Sequence, residues 1–466
     1  MKAATIENDP GTSPLPPRTP PPATAPAPPE PEPEPDPELI TYPEGGTRAW
    51  LVVLGSWMAL FASLGLMNVL ATFQTFVSTH QLAEYDDCTI GWIFSLYLFM
   101  CFFTGVYTGP LFDKYGPRWL IFSGAVGLIA GLMLLSISTQ YWHFLLVFGL
   151  LIGVASSLLF TPSITAVGHF FLARRGLATG IVTTAGSVGG VLFPLILQPL
   201  FDRAGWAWAI RALGLICLAA TVVANLLIRS RLPPARGASA RPDPRIFLNR
   251  AFALTTAAVF LLEFAIFIPL TYISTYALSK GFSQSFASNL LTLLNAGSFL
   301  GRVLSGFAAD LIGPFNASIY AVGLTVLACL GIWLPAGDTA PGIVIFVLLF
   351  GFSSGSNISL VSVTIGRLCK TQEYGRYYAT CYTVVSASTL IGIPIAGQVL
   401  TVDGGKFDGL ITMTGFVYIA ALATFVAAKL AYLPSLPLPS SLLPGGPDRM
   451  HDEARKIVHS LLCLVQ

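Results

Sequence analysis

Two charged residues stand deep inside apolar stretches of the sequence, where a charge is costly to bury and usually functional. Arg302 lies eight residues before Asp310, about 12 Å inside its apolar run at the helical rise of 1.5 Å per residue. Glu263 lies about 18 Å inside the preceding run by the same rise. The two residues therefore predict a functional site, and a planar guanidinium has a geometry that suits a carboxylate. A purely structural Arg302–Glu263 ion pair is the alternative.

Patterns that would indicate an enzyme are missing from the sequence. Gly404-Gly405-Lys406 is followed by Phe407 and lacks the earlier glycine of a phosphate-binding loop, so ATP hydrolysis is not predicted. The five histidines show no metal-ligand spacing beyond an eight-residue interval in the C-terminal tail, and the seven cysteines form no C-x-x-C pair. We therefore expect a protein that is not an enzyme, with no catalytic residue, no metal and no cofactor.

Composition points to lipid as the solvent of much of the surface. Hydrophobic residues make up 54% of the 466-residue chain and charged residues only 10%, whereas soluble domains carry about 25% charged residues. The net charge of +2 favours neither nucleic acid nor an acidic partner. We expect the bilayer and a small-molecule substrate as partners, and no nucleic acid.

Twelve apolar runs follow one another along the chain. A helix needs about 20 such residues to cross the hydrocarbon core, and each run approaches that length. The sequence therefore predicts an all-α integral membrane protein of twelve transmembrane helices. The runs lie near residues 50–76, 90–111, 119–138, 143–168, 177–200, 206–228, 252–276, 286–309, 316–334, 342–365, 378–400 and 409–430.

The runs group into two halves with flanking and connecting segments. The predicted parts are a disordered Pro-rich tail (1–43), an N-terminal half (44–228), a basic linker (229–250), a C-terminal half (251–430) and a C-terminal tail (431–466). Residues 453–465 of that tail are predicted either to lie on the membrane surface or to be disordered.

The loops carry an asymmetric charge. With the N-terminus in the cytoplasm, thirteen lysines and arginines fall in cytoplasmic loops and the linker, and only three in the opposite loops. The positive-inside rule then predicts that both termini are cytoplasmic. We expect a multi-pass protein of the plasma membrane.

A repeated pattern relates the two halves. Gly109, Asp113 and Gly116-Pro117 end the second run with the spacing G-x3-D-x2-G-P, and 306–314 repeats that spacing at the end of the eighth. Phe148-Gly149 likewise returns about 200 residues later. Because each half has an even number of spans, both halves have the same orientation. Two parallel six-helix halves, with a site between them at mid-membrane, are the arrangement of the major facilitator superfamily.

Three stretches resemble that family directly. Gly109 to Arg118 resembles the signature of its loop between helices two and three. Glu44-Gly45-Gly46 with Trp50, and the stretch Phe170 to Gly180, resemble motifs of its monocarboxylate-transporter branch, above all of fungal members. This resemblance covers residues 44–430 and implies the major facilitator fold and solute transport.

The resemblance also suggests which residues bind substrate. Arg302 matches the helix-eight arginine that is implicated in binding the substrate carboxylate, and Tyr272 belongs to a similar helix-seven pattern. Two positions depart from the branch: its helix-one lysine falls on Asn68, and its helix-eight acidic residue falls on Ser298. These departures disfavour proton-coupled lactate transport of the animal type. Glu263 is an alternative protonatable group, so a co-transported proton stays open.

The repeated aspartates suggest a gate. Asp113 sits where the second helix leaves the membrane, near Arg118, and Asp310 repeats it in the other half. A carboxylate at such a place can accept hydrogen bonds from a neighbouring helix N-terminus and from an arginine, holding the inward side closed. The alternative is a solvated loop charge that only sets topology.

Secondary active transport by alternating access is the predicted function. The substrate is expected to be a small carboxylate, another organic acid or a secondary metabolite. One alternative is efflux of a larger secondary metabolite that need not be anionic. A receptor of the same fold that transports nothing is the alternative of another class, and solute flux in vesicles separates the two classes.

Overall fold

The computed structural model describes residues 41–232 and 242–433. The predicted Pro-rich tail up to residue 40, part of the basic linker and the C-terminal tail from residue 434, including its predicted surface stretch, lie outside the described residues.

Within the described ranges, eleven helices are long and apolar enough to cross a membrane. In the N-terminal half these are α1 (Gly46–Met67), α2 (Thr89–Tyr115), α3 (Arg118–Leu135), α4 (Tyr141–Gly168) and the long helix Arg175–Leu227. In the C-terminal half they are α7 (Arg250–Ser279), α8 (Gln284–Ile312), α9 (Pro314–Ala336), α10 (Ala340–Gly366), α11 (Thr371–Val402) and α12 (Asp408–Tyr432).

The helix Arg175–Leu227 accounts for two of the twelve predicted spans. Its 53 residues would extend about 80 Å at 1.5 Å per residue, more than twice the hydrocarbon thickness. At Gly205 the backbone leaves the helical region, with φ 75° and ψ 176°, a conformation that glycine adopts without strain. We number the two parts α5 (175–204) and α6 (206–227). The predicted all-α fold with twelve spans is confirmed.

Short irregularities interrupt several spans. Beyond a turn at Asn68 and Val69, α1 continues as the helix Leu70–Thr79. A break at Thr104 divides α2. Short 3-10 turns, Pro244–Leu248 and Thr371–Glu373, lead into α7 and into the α-helical part of α11, Tyr374–Val402.

The two halves meet along two equivalent helix pairs, α5 with α8 and α2 with α11. We call the end of the bundle where α1 begins the proximal end. There the pairs touch backbone to backbone: a methyl group added at Gly176 would clash with the carbonyl oxygen of Gly306, and one added at Gly109 with that of Gly375. Small residues allow such close approach. The glycines of the repeated G-x3-D pattern therefore pack against the opposite half.

Candidate functional site

The aspartates of the repeated pattern cap helix N-termini across the interface between the halves. Asp310, at the end of α8, accepts hydrogen bonds from the backbone N–H groups of Gly176 and Leu177 at 2.7 and 2.8 Å. These groups belong to the first turn of α5, where unpaired N–H groups and the helix dipole favour a negative charge. Gly306, one turn before Asp310 on α8, allows the close approach of the helices that brings the carboxylate within reach of these groups.

Asp113 makes the equivalent contact in the other pair. Its carboxylate, at the end of α2, is buried and accepts hydrogen bonds from the N–H groups of Gly375 and Arg376 at 3.1 and 2.9 Å. The positive charge of Arg376 attracts the carboxylate as well. Two pseudo-symmetric caps thus link the halves at the proximal end.

The arginine predicted to assist Asp113 lies elsewhere. Arg118 is exposed and lines a surface groove of about 300 Å³ with Trp119, Phe122 and Asn225, between α3 and α6. The two hydrogen bonds found for Asp113 among the described residues come from backbone N–H groups instead. The chain turns outward after Gly116, whose φ of 77° directs α3 away from the interface.

Arg175, in the stretch Phe170 to Gly180 that resembles a branch motif, is a buried arginine between the halves. Its guanidinium donates to the carbonyl oxygens of Gly168 in its own half and of Gly366 in the other, both at 3.0 Å. It also lies 5.1 Å from the ring centroid of Tyr374 at the start of α11. A planar, five-donor side chain suits such bridging. The position of Arg175 at the predicted start of the fifth helix was the one sequence signal that could have indicated this role.

Deeper along the same helix pair, Arg302 reaches from α8 into α5. Its Nη1 donates to the carbonyl oxygen of Thr183 at 2.6 Å, and its Nε donates to the hydroxyl of Ser298 at 3.2 Å. Only 3% of Arg302 is exposed. Ser298 also accepts a hydrogen bond from Ser187 of α5, so the predicted residues Arg302 and Ser298 share one polar junction of the two halves.

Asn68 joins this junction from α1. Its side-chain amide donates to the carbonyl oxygens of Leu64 and Gly186, at 3.1 and 3.0 Å. A methyl group added at Gly186 would lie 3.4 Å from Nη1 of Arg302 and 3.1 Å from the amide nitrogen of Asn68. Asn295, a polar residue of α8 that no sequence motif singled out, lies next to Gly190 one turn further along α5. Glycines on α5 therefore leave room for these polar side chains.

Glu263 lies in α7, with 3% of its surface exposed, and interacts electrostatically with Arg302. Within the described part of the chain, no direct ion pair within 4.0 Å joins the two side chains. Glu263 also interacts electrostatically with Tyr382 of α11 and Tyr418 of α12, both of which are buried. Glu263 thus lies on the C-terminal side of the junction rather than in contact with Arg302.

Tyr272, the remaining predicted binding residue, lies apart from this junction. Its hydroxyl is close to Gly397 of α11, where an added methyl group would stand 3.1 Å away. Asn68, Ser298 and Arg302 are therefore brought together, Glu263 acts on Arg302 through charge, and Tyr272 marks the α7–α11 contact. No group of three potential metal ligands occurs among residues 41–232 and 242–433.

Comparison with known proteins identifies the group to which this architecture belongs. The family model for the Major Facilitator Superfamily matches residues 49–393. The riboflavin transporter MCH5 of Saccharomyces cerevisiae is 34% identical over 84% of this chain and 78% of its own length. The fujikurins efflux protein of Gibberella fujikuroi is 34% identical over 84% of both chains.

A solved structure agrees at the level of the fold. The human organic anion transporter MFSD10 superimposes with a TM-score of 0.66 at 15% identity, over 81% of this chain and 98% of that one. At this low identity the agreement concerns the arrangement of helices alone.

Proposed function

The chain belongs to the major facilitator superfamily of membrane transporters, and from that premise we propose that it carries a small organic acid or an acidic secondary metabolite that binds at Arg302. The carrying observation is the position of this arginine: it is buried where α1, α5 and α8 meet, between the halves that alternating access moves.

The hydrogen bonds of Arg302 support an anionic ligand. A guanidinium has five N–H donors, and the bonds to Thr183 and Ser298 use two of them. The nearest buried acid, Glu263, attracts the charge without a direct contact. An arginine held in place by neutral acceptors keeps a positive charge that a carboxylate can neutralise in a bidentate geometry.

Glu263 is the proposed coupling group. When this carboxyl is protonated, the charge of Arg302 is balanced by the substrate alone; when it is ionised, it competes with the substrate for the same charge. Binding of the acid and protonation of Glu263 should therefore favour each other, which couples solute movement to a proton. The burial of Glu263 within the charge range of Arg302 supports this role.

The caps at the proximal end supply the proposed gate. Asp113 and Asp310 hold the two halves together there, so this structure corresponds to the state that is closed at the proximal end. We place that end in the cytoplasm and the protein in the plasma membrane, as the distribution of basic residues suggests. Opening toward the cytoplasm then requires both caps to break.

A larger secondary metabolite without a carboxylate is the second candidate. Asn68 and Ser298 occupy positions where the monocarboxylate branch carries charges, and one relative is named for efflux of fujikurins. A substrate of this class would use the polar junction for hydrogen bonding rather than for charge.

Transport in proteoliposomes tests the role of Arg302. Radiolabelled monocarboxylic acids and riboflavin, which has no carboxylate, serve as probes. Arg302→Gln should abolish acid flux in a folded protein, and Arg302→Lys should keep only part of it, since lysine lacks the planar fork.

The double variant Arg302→Gln with Glu263→Gln separates binding from structural pairing. If Arg302 binds the substrate, the double variant should recover protein abundance but stay inactive toward acids. Recovery of acid transport would instead identify a structural pair, and full acid transport by Arg302→Gln alone would exclude the binding role. Flux of riboflavin that survives Arg302→Gln would support the second candidate.

A further inference from the structure

The segment that precedes α1 contacts both halves of the bundle at the proximal end. The hydroxyls of Tyr42 and Thr371 form a hydrogen bond at 2.6 Å, although 329 residues separate them in the chain. Tyr42 leads into the N-terminal half, whereas Thr371 lies in the 3-10 turn that begins α11 of the C-terminal half. Thr371 is 7% exposed and also accepts a hydrogen bond from Arg175.

Two residues further along, Glu44 fastens this segment to the N-terminal half. Its carboxylate accepts hydrogen bonds from the backbone N–H groups of Leu172, Ala173 and Arg174 at 2.7 to 3.0 Å. Its own N–H donates to the carbonyl oxygen of Phe170. Glu44 has a φ of 50°, the only positive value of a non-glycine residue in the described ranges. Such a conformation persists only where the surrounding contacts hold it.

The α5 N-terminus is thus held from two directions. Glu44 binds the three N–H groups that precede α5, and Asp310 from the opposite half binds the next two, at Gly176 and Leu177. The two carboxylates are close enough to repel each other. Both are compensated by the same row of backbone donors and the helix dipole.

We propose that Tyr42 and Glu44 are positioning residues of the transport cycle: Glu44 fixes the start of α5 where Asp310 can cap it, and Tyr42 ties that start to the turn that begins α11. This inference rests on the alternating access proposed above. Glu44 is held to the N-terminal half and two residues of chain reach at most about 7 Å, so a larger separation of the halves at this end must break the bond between Tyr42 and Thr371. The Tyr42–Thr371 bond belongs to the proximally closed state and breaks whenever that end opens.

Hydrogen exchange on the full chain in lipid nanodiscs, without any substrate, tests the tie. Tyr42→Phe removes one neutral hydrogen bond and should raise the exchange rates of the amides at 176–177 and 375–376 about two- to tenfold, as the closed state loses population. The amides at 172–174 should keep their protection because Glu44 is intact. Tyr320→Phe, which removes an exposed phenol hydroxyl on α9, is the matched control and should leave all these rates unchanged.

A double-mutant cycle identifies the partner. Thr371→Val should raise the same rates, and adding Tyr42→Phe to it should change them little further, because the Tyr42–Thr371 bond is already lost. Thr371→Ser, which keeps the hydroxyl, should keep the wild-type rates. Unchanged rates in Tyr42→Phe, or fully additive effects of the two changes, would overturn the proposal. Because the measurement uses no solute, it can fail while acid transport through Arg302 stands, and it can succeed while that transport fails.

Discussion

Gly176→Ala is expected to prevent the proximal end from closing. The added methyl carbon would lie 2.6 Å from Oδ1 of Asp310 and would also clash with the carbonyl oxygen of Gly306. Ordinary contacts require about 3.5 Å, so α5 and α8 must separate by about 1 Å at this point. The clash joins a methyl carbon that is fixed to the backbone of α5 and a backbone oxygen of α8, so no side-chain rotation relieves it.

The cost follows from the cap that this separation breaks. Lengthening the bonds of 2.7 and 2.8 Å from Gly176 and Leu177 to Asp310 by about 1 Å takes both out of hydrogen-bonding range. Hydrogen bonds to charged groups contribute about 1.5–3 kcal/mol each, so the closed state loses about 3–6 kcal/mol. Since 1.4 kcal/mol corresponds to a factor of ten, the open state should gain at least about a hundredfold in relative population.

The shift toward the open state can be measured as the labelling rate of a cysteine introduced beyond the proposed gate. Ser187 lies on α5 about 16 Å beyond Gly176 and is 1% exposed. Ser187→Cys, with Cys88, Cys369 and Cys463 replaced by serine, is treated with a membrane-impermeant maleimide in vesicles of either orientation. Labelling from the proximal side should be slow with Gly176 and fast with Gly176→Ala. Gly323→Ala is the control, because an added methyl group there meets nothing within 4 Å.

The reasoning fails if Gly176→Ala is as well protected from the proximal side as Gly323→Ala, provided both variants reach the membrane in equal amounts. It also fails if Gly176→Ala transports at the wild-type rate, because a gate that cannot close must slow a cycle that requires closure.

Three further predictions concern the caps, the topology and pH. Asp113→Asn and Asp310→Asn keep the shape of the side chain but lose its charge, so each should slow transport at normal surface abundance; wild-type flux in both would leave them as topology charges. The glycosylation sequons Asn316-Ala-Ser318 and Asn357-Ile-Ser359 should stay unmodified in a eukaryotic host, because the first faces the proposed cytoplasm and the second is buried in α10. A glycosidase-sensitive mass shift that disappears in Asn316→Gln would contradict the proposed orientation. Burial lowers the pKa of His169, which follows the end of α4, to about 3. Between pH 6.5 and 3, the unfolded chain therefore binds a proton on this histidine that the folded chain does not bind, so acid destabilises the folded state. Acidification from pH 7 to 4 should therefore lower the melting temperature of the wild type more than that of His169→Gln, and equal shifts would contradict the burial argument.

Much of the fold could be predicted because the relevant signals are local. A run of about 20 apolar residues predicts a span wherever it occurs, and twelve such runs correspond to the spans of the structure, including the pair divided at Gly205. The spacing of Gly306 and Asp310 by four residues likewise places both on one face of a helix. One helical turn therefore suffices to place the glycine that allows the close approach next to the aspartate that forms the cap.

The partners of these residues depended on tertiary structure. Asp113 meets Gly375 across 262 residues and Tyr42 meets Thr371 across 329, and no local periodicity specifies which distant helix start a carboxylate will cap. The expectation that Arg118 assists Asp113 rested on proximity in sequence, whereas the turn at Gly116 directs that arginine to the surface groove. Arg175 links the halves because the folded chain brings the carbonyl oxygens of Gly168 and Gly366 to its buried guanidinium. The sequence by itself determined where the spans and the capping residues lie, because hydrophobic length and helical spacing are properties of a short segment. Only the tertiary structure decided how the halves pair, because the pairing depends on which surfaces are complementary once all twelve helices pack.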